Sequence, residues 1–196
     1  MLARTHHYSD VAEYEAIEES SPHKHEYYNG SVFVMAGASI RHNRITRNIA
    51  SVLQNKLRGS SCEAFGSDLR IRTPGGLWTY PDASVICGPL EIHKQGRLET
   101  ALNPRLLVEV LSDSTRDYDK TDKFALYREI SSFCEYLMIE QDTITVERHT
   151  LGPHLDRTKK RSWKMRRYTN PEEPIELLSL SLTISLTEIY EQTGLL

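Results

Sequence analysis

Long apolar runs are missing from this sequence: no stretch approaches the ~20 consecutive apolar residues that a membrane-spanning helix requires. Cysteine is scarce as well. Cys62, Cys87 and Cys134 are an odd number, share no CxxC spacing, and each falls in or beside a strand-like segment, which predicts reduced, buried thiols rather than a disulfide frame. The N-terminal residues, with Arg4, His6 and Asp10, lack the apolar centre of a signal peptide, so the expected compartment is the cytoplasm. A basic excess is absent too, because the formal net charge is −3; a polyanion would have to meet a local patch. There is no internal repeat, and 196 residues suit a single domain, residues 1–196, with room for a real core.

What is present is an alternation of helical and strand-like segments. Ser9 predicts the N-cap of a short helix carrying Val11, Ala12 and Ala16, with Pro22 ending it. In HEYYNGSVFVM, Asn29-Gly30 stands between two strand-like runs and predicts a hairpin. Ile45, Ile49, Val52, Leu53 and Leu57 recur at helical spacing, which predicts one amphipathic helix over 39–57, stopped by Gly59. Strands are expected over 63–73, 82–87 and 106–111, with 88–104 as a long surface excursion. A helix after Asp117 and a strand over 135–140 complete an α-β-β-β-α-β core. The C-terminal tail adds strands over 143–149 and 163–168 and a short helix over 186–193.

One acid breaks this pattern. In RLLVEVL, apolar at nearly every position, the run predicts a central strand covered on both faces, yet Glu109 sits inside it. A buried carboxylate is costly unless something pairs with it. Tyr80-Pro81-Asp82 puts a second acid at the mouth of another apolar strand, and two neighbouring strands each offering one carboxylate could hold a single divalent cation. Mg²⁺ suits such a site, since it takes oxygen ligands, keeps several waters and uses only one or two protein carboxylates.

The ordered set EYYNGSVFVMAGAS, RHNRI, FGSDLRIR, YPD, LLVEVLSDSTRDYDKTDKFALY and EYLMIEQD is similar to the Uma-type restriction endonuclease family of bacteria. More broadly, Pro81-Asp82 followed by Glu109-Val110-Leu111 resembles the PD-(D/E)XK nuclease superfamily. The likeness implies a restriction-endonuclease-like α/β fold, a mixed central sheet flanked by helices, and a Mg²⁺- or Mn²⁺-dependent endonuclease acting on nucleic acid, with DNA as the expected substrate. Residue by residue, it implies Asp82 and Glu109 as metal ligands with the backbone carbonyl of Val110, and Glu26 as an outer ligand or orienter. The third motif position should be lysine and is Leu111; the residue that matches the displaced lysine is Lys123 in KTDKFALY, with Lys120 as the alternative. A homodimer is among the expectations, because two sites cut two strands most simply. Leu111 keeps another reading open, a non-catalytic module that retains the fold and binds nucleic acid or a protein.

Other residues carry weaker signals. Asp68 is either an accessory ligand or a water-facing strand residue. His42 and Asn43 open the long helix, where they serve capping or a phosphate. His23 and His25 lack the further ligands that zinc needs. The stretch RTKKRSWKMRR, from Arg157 to Arg167, sets seven basic residues around Trp163 and reads equally as a backbone-binding arm or a basic hairpin tip.

Overall fold

The computed structural model describes residues 9–152 and 162–196; Arg4, His6 and residues 157–161 of the basic run lie outside them. Helix α1 (Val11–Ser20) is capped by Asp10, not Ser9. The Asp10 carboxylate accepts the Glu13 amide at 2.8 Å while the Glu13 carboxylate accepts the Asp10 amide at 3.3 Å, a reciprocal box that satisfies two end donors. Ser9 is engaged elsewhere, its amide donating to Gly30 and its carbonyl accepting the Tyr27 hydroxyl. Strands β1 (His25–Tyr28) and β2 (Ser31–Val34) form the expected hairpin, with Asn29 and Gly30 at φ 46° and 79°, the left-handed pair that a tight two-residue turn demands. Helix α2 (Ile40–Lys56) follows, capped by Ser39 and burying Ile45, Ile49 and Leu53.

The segment expected as one strand over 63–73 is two. Strand β3 (Cys62–Gly66) and strand β4 (Arg70–Arg72) are separated by a turn at Ser67-Asp68, where the Leu69 amide donates to Gly66 and Lys24 donates to the Ser67 carbonyl at 2.7 Å. A polar turn between two apolar alternations leaves the alternation readable on both sides and hides the break. After β5 (Trp78–Thr79) and β6 (Ala83–Cys87), the supposed surface excursion contains a further hairpin, β7 (Ile92–Gln95) and β8 (Leu98–Ala101). Gly96 turns it at φ 57°. Strand β9 (Pro104–Leu111) leads to α3 (Arg116–Lys120) and α4 (Asp122–Tyr127), which the sequence pattern predicts as one helix. Thr121, at φ −119° and ψ −87°, divides them. Strands β10 (Glu135–Glu140), β11 (Val146–Leu151), β12 (Trp163–Tyr168), β13 (Pro174–Leu177) and β14 (Leu182–Ser185) precede helix α5 (Leu186–Tyr190). The β13–β14 pair was not expected from the sequence.

Two six-stranded sheets result, β12-β11-β10-β9-β6-β3 and β2-β1-β5-β4-β8-β7. In the first, β9 runs parallel to β10 and antiparallel to β6, so the α-β-β-β-α-β order assembles as α2, β3, β6, β9, then α3 and α4, then β10. Successive side chains of β9 face opposite sides. Leu106, Val108 and Val110 pack with Ala83 and Val85 against α2 and α5, while Leu107 and Leu111 pack with Phe124 and Tyr127 of α4. Glu109 therefore belongs to the α4 side.

Cys62 and Cys87 stand opposite each other in the β3–β6 register and form a disulfide, which corrects the expectation of three reduced thiols; Cys134 is free. Direct cross-strand opposition brings two β-carbons within bonding reach, and linear spacing does not carry that information. Among the described residues, no helix is long and apolar enough to cross a membrane.

Candidate active site

The acid in the middle of β9 has partners. Glu109 is 5% exposed, and its Oε1 accepts from the Lys123 ammonium at 2.9 Å and from the Tyr127 hydroxyl at 2.8 Å. Lys123 and Tyr127 are four apart on α4 and so share the face turned to β9. Lys123 also meets Glu26 Oε1 at 2.9 Å and Asp119 Oδ1 at 3.4 Å. Glu26 comes from β1, in the other sheet, and takes a short hydrogen bond from the Thr79 hydroxyl. One buried ammonium thus faces three buried carboxylates, an arrangement with more negative than positive charge in a place with little water.

The electrostatics follow from that excess. Burial pushes the Glu109 carboxyl well above the usual range, Lys123 opposes the shift, and the nearby acids Asp119 and Asp82 add to it. Burial likewise raises Asp119 against the pull of Lys123. For Lys123, burial works downward, but Glu109, Glu26, Tyr127 and Asp119 together outweigh it and hold the ammonium well above its ordinary value. Lys123 is charged, and Glu109 and Asp119 hold their protons to higher pH than isolated carboxyls do.

Asp82 stands just before β6, and the register Ala83↔Val108 makes Glu109 its cross-strand neighbour. Asp82 Oδ2 accepts the Val110 amide at 2.7 Å. Along an extended strand a residue's N–H and C=O leave from the same edge, so the Val110 carbonyl projects toward the side occupied by Asp82. From α2, the Thr46 hydroxyl donates to Asp82 Oδ1 at 3.3 Å and His42 Nε2 lies 3.5 Å from Oδ2. The sheet end is therefore walled by α2 on one side and α4 on the other.

Glu109, Lys123 and Glu26 meet in one cluster, Asp82 joins the same strand end through the Val110 amide, and Lys120 stands apart. Its ammonium reaches Glu140 at 3.1 Å and Glu147 at 3.4 Å, away from the four acids. Asp68 is exposed and pairs with Lys24. His25 is buried against Glu18, and His23 is exposed. Asn43 caps its helix through the carbonyls of Ala38 and Ser39, while His42 reaches the site. Trp163 packs on Phe124 and Phe133 rather than standing free to stack on a base. Sequence reasoning missed Asp119, Tyr127 and Thr46. A signal for two of them existed in the spacing: Asp119, Lys123 and Tyr127 succeed one another at intervals of four.

Among the described residues, no group of three or more histidine, cysteine or acidic side chains is arranged to hold a metal. A Mg²⁺-type ion needs less, one or two carboxylates completed by water and substrate phosphate. The pair Asp82 and Glu109, with the Val110 carbonyl beside them and surplus negative charge around them, fits that demand.

The family model described as "Uma2: Putative restriction endonuclease" matches residues 11–187. Two proteins of Synechocystis sp. (strain ATCC 27184 / PCC 6803 / Kazusa) are similar over most of their length. "Uncharacterized protein slr1290" is 32% identical across 91% of this chain and 89% of its own, and "Uncharacterized protein sll1609" is 32% identical across 90% and 96%. The crystal structure of "a putative nuclease belonging to DUF820 from Anabaena variabilis ATCC 29413" superposes with a TM-score of 0.70 at 18% identity, covering 93% of this chain and 97% of that one. With the α-β-β-β-α-β core and the acid–lysine cluster at its sheet end, these matches show that the chain belongs to the Uma2 family and has its restriction-endonuclease-like α/β fold.

Proposed function

We propose that this protein is a divalent-metal-dependent endonuclease that hydrolyses phosphodiester bonds in DNA. The observation that carries the reading is the buried Glu109–Lys123 pair on the strand whose Val110 amide Asp82 accepts, a costly cluster with a clear chemical use. Asp82, Glu109 and the Val110 carbonyl would hold Mg²⁺ or Mn²⁺. Such an ion, when bound, acidifies water and neutralises phosphate oxygens.

The chain's own groups supply the rest. Lys123 sets a compact ammonium beside the scissile group, and such a charge in a dry site stabilises developing negative charge strongly. Glu26 and Asp119 hold that ammonium in place, and Tyr127 fixes the Glu109 carboxylate. The water oxygen bonds to phosphorus as its proton passes to solvent, the bond to the leaving sugar oxygen breaks, and that oxygen takes up a proton from solvent. A homodimer would set two such centres on the two strands of a duplex.

Leu111 favours a second reading, a fold that binds without cutting, because it is buried in the position where the motif has lysine. Incubating purified protein with plasmid, single-stranded DNA and RNA across a Mg²⁺ and Mn²⁺ series separates the two. Metal-dependent cleavage of DNA that disappears in Glu109→Ala supports the enzyme. Cleavage undiminished in that variant would falsify the site, and calorimetric silence toward both ions supports the binding module.

A further inference from the structure

Helix α2 has no acidic residue. Its sequence, IRHNRITRNIASVLQNK, carries Arg41, Arg44, Arg47 and Lys56, although the whole chain has a net charge of −3. The absence extends to the first turn, so the positive end of the helix dipole is not offset there. Arg41 and Lys56 are spoken for, by Asp142 and Glu188. Arg44 and Arg47 are exposed, three apart on one face, and among the described residues neither takes part in an ion pair; Arg47 reaches only the Asn48 side-chain oxygen at 3.1 Å.

The other basic surface differs. On β12, Arg166 pairs with Glu173 and Arg167 with Glu147, and on α3, Arg116 pairs with Asp113 and Glu140. Those charges are already balanced by acids. The same helix that bears the unbalanced arginines also touches the candidate site, since His42 and Thr46 lie against Asp82. Arg44 and Arg47 project from the solvent side of that helix, roughly opposite His42 and Thr46, where they can meet phosphates flanking the scissile one.

We propose that the outward face of α2, through Arg44 and Arg47, holds the phosphodiester backbone of the nucleic acid whose scissile group sits at Asp82 and Glu109. This rests on the nuclease reading above and assigns its substrate contact. An arginine with no acid partner gives up no existing ion pair on meeting a phosphate, and each phosphate it neutralises releases condensed counterions.

The test is fluorescence anisotropy of a labelled DNA duplex, and of a single strand of the same sequence, titrated with protein in EDTA at several salt concentrations. The variants are Arg44→Gln/Arg47→Gln and, for comparison, Arg166→Gln/Arg167→Gln on β12. Losing two phosphate contacts should flatten the plot of log affinity against log salt by about 1.8 for the duplex or about 1.4 for the single strand, while the β12 variant keeps the wild-type slope. An unchanged slope in the α2 variant, or no binding by the wild-type protein, overturns the proposal. Binding that depends on Arg44 and Arg47 in a protein that never cleaves under metal overturns the nuclease reading alone and leaves the α2 face standing.

Discussion

The Lys123 ammonium lies 2.9 Å from Glu109 Oε1 and the same distance from Glu26 Oε1, so one side chain on α4 ties a strand of each sheet to itself. Removing that charge leaves Glu26, Glu109 and Asp119 buried without a counter-ion. Lys123→Met should cost roughly 3–5 kcal/mol at neutral pH, the usual toll of breaking a buried pair from one side. Urea unfolding with and without Mn²⁺ measures it. The loss should shrink at acid pH, where the carboxyls are neutral.

The raised carboxyls set a pH dependence of the metal-free protein. Glu109 is held well above its ordinary 4.5 and Asp119 above 3.8, so the folded chain binds more protons than the unfolded chain once the pH passes those values. Stability therefore falls as pH climbs from there through the raised values. Lys123, raised above 10.5, stabilises the fold throughout that range, and its contribution is lost only as pH climbs beyond 10.5 through its own higher value. Thermal melts in EDTA should show a decline from mildly acidic to neutral pH. Mn²⁺ should abolish it and bind more tightly as pH rises, because the ion competes with protons. A flat profile in EDTA would contradict the cluster's charge assignment.

Tyr127→Phe isolates one hydroxyl, since the ring keeps its contacts with Phe133 and Tyr136. Glu109 retains Lys123 but loses a donor, so the expected cost is about 1 kcal/mol. Denaturation curves report it, and a larger loss would mean that the ring itself has moved.

Thr46→Val is nearly isosteric and removes the hydroxyl that orients Asp82. Partners that orient a ligand typically govern about tenfold in ion affinity. Calorimetry with Mn²⁺ should show that weakening with the fold intact; an unchanged affinity would remove Thr46 from the site.

The Cys62–Cys87 bridge closes a separation of 25 residues between β3 and β6. Replacing both with serine should cost up to about 3 kcal/mol, chiefly by releasing the unfolded chain. Thiol titration of the native protein should count one free cysteine, Cys134.

Local chemistry was legible in the sequence wherever it was local in space. Asn29-Gly30 announces its turn because the required backbone angles belong to those two residues, and Glu109 betrays the site because an acid conflicts with five apolar neighbours in a covered strand. Asp119 gave no such conflict: on a helix beside Asp117 and Lys120 it looks like any solvated acid, and only the packing of α3 onto the sheet buries it to 3% exposure. The Cys62–Cys87 bond and the change of sheet at Ser67-Asp68 escaped for the same reason, since both are decided by which strands meet.

Because Glu26 is borne by one sheet and Glu109 by the other, the cluster exists only while the two layers are docked through Lys123. A chain caught half-folded, on the ribosome or after damage, would lack the assembled cluster. In the endonuclease proposed above, hydrolytic competence would thereby be conditional on completed folding, a safeguard that needs no separate inhibitor.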